Sequence, residues 1–173
     1  MSSMRQLAVG AIVAVALVAS ATPARAQCGA ATQTTLVAGQ NFVAGTVTVF
    51  NDSVNLYVRY DTATPWVMSD AHAAVAGTLA GIPQTKAGNP IPGRFAYSAT
   101  FDPEVTSYTF GIPMAGTFVA GQTVFVAAHA IVQAPKSDGG SQTGWGAGAD
   151  FPGANWATYL TYTIKACGGG GVS

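Results

Sequence analysis

The sequence predicts an all-β protein: about eight antiparallel strands in a two-sheet sandwich, Ig-like or jelly-roll, with a closed barrel as the alternative. Three observations predict it. Several short segments alternate apolar and polar residues with period two. Clusters of Gly, Pro, Asn and Asp punctuate the chain between them. After residue 26, no segment combines helical periodicity with caps.

Residues 1–26 read as a cleavable secretory signal peptide. Arg5 supplies the positive charge, residues 7–19 an uncharged apolar run, and Pro23 a break. Ala24-Arg25-Ala26 fits a small-x-small cleavage site. The apolar run is short of the roughly 20 residues that span a bilayer. Gln27 rather than a cysteine follows the expected cut, which argues against a lipoprotein anchor. A single β-domain is expected over residues 27–167, followed by a flexible Gly-rich tail over 168–173.

The strands follow in order. Residues 46–50 form a β-branched run that ends at the turn signal Asn51-Asp52. Residues 54–60 alternate, with Val54, Leu56, Val58 and Tyr60 on one face and Asn55, Tyr57 and Arg59 on the other. The two runs predict a hairpin. Residues 66–76 predict a strand after Pro65, and residues 77–93 a loop rich in Gly and Pro. Residues 95–101 and 105–112 predict two strands around an Asp102-Pro103-Glu104 turn. Residues 123–133 are almost wholly apolar, as a central strand buried on both faces would be. Residues 136–155, with six glycines, predict irregular structure. Residues 156–164 alternate again, with Trp156, Thr158, Leu160, Tyr162 and Ile164 on one face.

Charge excludes some function classes. Without residues 1–26 the chain carries five basic and seven acidic side chains, a formal charge of −2. It has no basic stripe for nucleic acid and no polybasic patch for anionic lipid. Cys28 and Cys167 lie near opposite ends of the expected domain, and an oxidising compartment would join them as a disulfide. Two free thiols are the other reading. Zinc–thiolate or redox chemistry lacks a nearby Cys or His pair at ligand spacing.

Catalytic signatures are sparse. There is no Gly-x-Ser-x-Gly elbow and no His-Glu-x-x-His helix. Glu104 is the single glutamate of the chain, and it sits in a turn-like Asp-Pro-Glu. Asp138 and Asp150 could meet calcium from loops, but without an EF-hand pattern. An N-terminal copper–histidine site is disfavoured because Gln27 would lead the mature chain. The only histidines are His72 and His129. Asp70 and His72 share a strand face, so adjacent strands would create an Asp/His/His metal site. The simpler reading makes each histidine a hydrogen-bonded core or rim residue. Among aromatics, Trp145 stands out in the Gly-rich stretch, while Tyr57 and Tyr159 point away from their strands' more apolar faces. These three are candidates for stacking on a sugar or forming a protein-binding patch. Folded back, Trp145 would only lid the core, as Trp66 and Trp156 are expected to do.

Several pieces recur together in a recognisable order. They are Ala-Gly-Gln-Asn from Ala38, Gly-Thr-Val-Thr-Val from Gly45, and Asn-Leu-Tyr-Val from Asn55. Gly-Asn-Pro from Gly88, Ala-Ala-His-Ala from Ala127, and Asn-Trp-Ala-Thr-Tyr-Leu-Thr-Tyr from Asn155 complete the set. Over residues 36–164 the chain resembles an uncharacterised type of secreted bacterial β-sandwich module. The resemblance implies an exported β-domain in which His129 and Trp156 belong to the shared framework. It carries over no activity and no catalytic residue.

These readings converge on a secreted, periplasmic or extracellular, non-enzymatic β-domain for structure or interaction, needing no cofactor. Its partner would be a glycan or a protein, not nucleic acid, and the chain would have no stable membrane anchor. One alternative is a carbohydrate-binding module using Trp145, Tyr57 and Tyr159. The other is a metal-binding protein or metalloenzyme using His72, His129 and Asp70.

Overall fold

The computed structural model describes residues 26–168. The expected signal peptide, residues 1–25 of which are undescribed, and the expected tail beyond Gly168 lie outside them. The described chain is all-β and has ten strands. These are β1 (Thr32–Ala38), β2 (Phe42–Asn51), β3 (Asn55–Thr62), β4 (Val67–Ala76), β5 (Tyr97–Val105), β6 (Ser107–Pro113), β7 (Thr123–Gln133), β8 (Ser141–Gly146), β9 (Ala149–Asp150) and β10 (Thr158–Thr163). Among the described residues, no helix is long and apolar enough to cross a membrane.

The strands form one nearly closed, barrel-like sheet, not clearly a two-sheet sandwich and nearer the alternative of a closed barrel. All its strand pairs are antiparallel, in the order β5-β4-β7-β8-β1-β2-β3-β6. The two strands at the ends of that order, β5 and β6, are consecutive in the chain and separated only by Thr106. The sheet must therefore roll until its ends nearly meet. Register breaks help it curl: between Leu36 and Val37 in β1, and around Ser69 where β4 meets β5 and β7. Gly45 sits at the first break, where an added Cβ would fall on the Asp61 carbonyl of β3.

β7 is the axis of the sheet. β4 covers one edge along nearly its whole length, from Val67–Gln133 to Ala76–Phe125. On the other edge β8 pairs with residues 129–133 and β10 with residues 123–126. Covered on both edges and both faces, β7 fits its apolar sequence. Other expectations shift. β1 was not expected, and β8 and β9 replace part of the irregular stretch 136–155. Asp102-Pro103-Glu104 is no turn: β5 bulges outward there and the chain reverses at Thr106.

Two cores result. Inside the barrel, Leu36, Val47, Val49, Leu56, Val58, Tyr60, Met68, Val124, Val126, Val132 and Tyr162 pack with the inward alanines of β4 and β7. Outside the wall formed by β4, β7, β8 and β10 lies a second core. There Ala74, Ala127 and Trp145 are roofed by Ile82 and Phe95 from the 77–96 connection, and by Phe151 and Ala157 from the β8–β10 connection.

One pole of the barrel is tied shut. Cys28 and Cys167 form a disulfide with Cα atoms 4.6 Å apart, closing a separation of 139 residues. Beside it the fully buried Asn51 uses its whole side-chain amide. Its Oδ1 accepts from the Tyr162 hydroxyl at 2.7 Å and the Lys165 backbone N–H at 2.8 Å. Its Nδ2 donates to the carbonyls of Asp52 and Lys165.

Candidate functional site

The chemistry-bearing side chains gather on the outer face of β4, β7 and β8. Strand register alone brings them together. His72 of β4 is the cross-strand partner of His129 of β7, and His129 is the partner of Trp145 of β8. The row extends to Ser98 of β5. The Nδ1 atoms of His72 and His129 are 3.3 Å apart and hydrogen-bonded. The His129 ring meets Trp145 edge-on, with centroids 4.8 Å apart. His129 is buried, whereas His72 is partly open at the rim.

The electrostatics follow from that placement. Burial, reinforced by the neighbouring His72 ring, pushes the His129 imidazole down to about 4, with Asp70 opposing. Burial also lowers His72, again with Asp70 opposing. Both rings are therefore neutral at neutral pH. One must supply an Nδ1–H and the other an Nδ1 lone pair, so the pair holds complementary tautomers. Asp70 lies two register rows away, on the same outer face of β4. Its carboxylate accepts from the Thr100 hydroxyl at 3.1 Å and the Ser69 hydroxyl at 2.8 Å. From inside the barrel the Tyr60 hydroxyl donates to the His72 carbonyl at 2.8 Å and anchors that point of β4. Among the described residues, no set of three His, Cys, Asp or Glu side chains is placed to hold one metal ion.

The three aromatic candidates do not share a platform. Trp145 is 4% exposed and packs against Phe95 and Phe151 as well as His129. It is a strand residue rather than a loop residue, and its flanking glycines have a packing cause. Gly144 and Gly146 face inward, where an added Cβ would stand 3.3 Å from Leu36 and Val47 respectively. Tyr159 is half-buried between Phe125 and Phe151 in the same outer core. Tyr57 lies on the opposite wall, stacked on Phe50 at 4.9 Å, and its hydroxyl donates to Asp52.

A second feature escaped the sequence. Among the described residues, β5 pairs only with β4 and β6 only with β3, so the sheet has an open seam between them. Aromatic side chains fill it instead of backbone hydrogen bonds. Tyr97 approaches Phe110 at 6.2 Å, and Phe101 approaches Tyr108 at 4.8 Å. Tyr97, Phe101 and Tyr108 are only partly buried. The sequence predicts strands over residues 95–101 and 105–112, but nothing in it shows that they would fail to pair. No protein-family model, no curated protein and no solved structure matches the chain.

Proposed function

We propose that the chain is an exported β-domain that works by binding rather than by catalysis, engaging a protein partner in extended conformation along the β5–β6 seam. The observation that carries this reading is the seam. Partly exposed Tyr97, Phe101 and Tyr108 lie between two strands that each have a single strand partner. Such a place offers apolar contact together with unpaired backbone groups, the combination used when an extended segment adds to a sheet. The bulge at residues 101–104, with Pro103 and two acidic side chains, blunts part of the β5 edge. Residues 97–100 and β6 remain for pairing. The Cys28–Cys167 bridge supports the exported part of the reading, because such bonds persist in oxidising compartments.

The test is a pair of selections on the disulfide-intact protein, one with a random peptide display library and one with a glycan array. The expected result is peptide ligands that shift the NMR signals of β5 and β6 and bind Phe101→Ala at least tenfold more weakly. Glycan binders alone would replace the protein partner by a carbohydrate. Peptides that bind Phe101→Ala as well as the parent would overturn the seam reading, as would no binders from either selection.

A further inference from the structure

We propose that His72 and His129 form a two-nitrogen site for a borderline divalent metal ion of the zinc(II) or cobalt(II) class. The inference stands on the outer face of β4 and β7 and is independent of the seam.

The spacing is the first argument. Two nitrogens bound to one tetrahedral metal at about 2.0–2.1 Å stand about 3.3–3.4 Å apart. The two Nδ1 atoms are 3.3 Å apart. Cis nitrogens of a square plane with the same bond lengths would stand only about 2.9 Å apart, so the pair suits a tetrahedral ion better than tetragonal copper(II). Imidazole nitrogen also selects against magnesium and calcium, which take oxygen ligands.

Rigidity is the second argument. The histidines are paired residues in the long β4–β7 ladder, and Trp145 packs against the His129 ring. The ladder already holds both backbones, so what remains is a turn of the rings that brings both Nδ1 lone pairs to one point. Binding needs both Nδ1 lone pairs, so the donor ring moves its proton to Nε2 and neither ring changes charge. The partly open His72 gives access from solvent, and water completes the coordination. Asp70, which bears on both rings electrostatically, adds attraction for a cation. No thiol competes, since the described residues contain no free cysteine. With two histidines in the chain, an imidazole-dependent signal has one place to come from.

The experiment titrates the untagged, disulfide-intact protein with Zn2+ by calorimetry and with Co2+ by visible absorption. One ion per chain is expected, with tetrahedral Co2+ bands that Zn2+ abolishes and Mg2+ does not. His72→Ala should weaken Zn2+ binding by at least about tenfold. Asp70→Asn should weaken it by less. His72 lies at the rim, so its removal should leave the fold intact, which circular dichroism checks. Should His72→Ala nevertheless misfold, movement of both imidazole ring NMR signals in the parent on adding one equivalent of Zn2+ decides the matter. Absence of saturable binding at millimolar Zn2+ overturns the proposal. So does unchanged binding by folded His72→Ala, or a parent whose imidazole signals do not move.

Discussion

The two walls of the barrel share an inner core but treat their outer faces differently. On β1, β2, β3 and β6 the outward residues include Gln33, Thr48, Arg59, Asp61 and Ser107, and polar contacts such as the Arg59–Asp61 ion pair run across the surface. Among the described residues, no second layer covers them. On β4, β7, β8 and β10 the outward residues include Ala74, Ala127, His129 and Trp145, and two long connections roof them. The difference teaches where this small protein has put its added burial. One wall satisfies the ordinary half-buried pattern of a strand, and the other is buried on both sides and holds the histidine pair at its margin.

Breaking the bridge tests both walls at once and gives the largest expected effect. Replacing Cys28 and Cys167 by serine should lower unfolding stability by about 4–5 kcal/mol, the chain-entropy figure for so long a loop, as measured by urea denaturation. Next comes the covered wall alone. Trp145→Ala should cost about 3–5 kcal/mol and expose the outer core, which increased binding of a hydrophobic dye would report.

Acid should act on the same wall. In the unfolded chain His129 takes up a proton near pH 6.5, whereas in the folded protein it does so at about 4. The folded state therefore favours the neutral ring. Its contribution is complete above pH 6.5, is lost as pH falls, and is gone below about 4, a change of about 3 kcal/mol. His72, lowered in the same direction, adds to the decline. Denaturation in chelator across that range should show it, and His129→Gln should flatten the slope. The bare wall gives the smallest effect. Tyr57→Ala removes the stacking on Phe50 and the hydroxyl bond to Asp52, an expected cost of about 1 kcal/mol in the same urea assay. A Tyr57→Ala cost equal to that of Trp145→Ala would erase the distinction between the walls.

The same contrast decided what the sequence revealed. β3 alternates because one face meets solvent, and β7 is almost continuously apolar because both faces are largely covered along its middle, so both are legible. β8 was not: its glycines resemble a loop, yet they are glycine because Leu36, Val47 and Ala128 crowd the inner face. Asp102-Pro103-Glu104 has turn chemistry but serves as a bulge. Sandwich and barrel share the same strand patterns, and only strand order and register separate them. Register also hid the site. His72 and His129 are 57 residues apart, and a slip of one residue between β4 and β7 would separate them. The aromatic seam depended on which strands stay unpaired, and periodicity does not encode that.

The bridge at the tied pole also sets how the domain would carry force. A pull on chain segments outside the two cysteines runs from Cys28 to Cys167 through a covalent link whose Cα atoms are 4.6 Å apart. The strands between them lie off the load path. In single-molecule extension the oxidised domain should act as a short inextensible link. Adding reductant should release roughly 480 Å of hidden chain length as the barrel gives way.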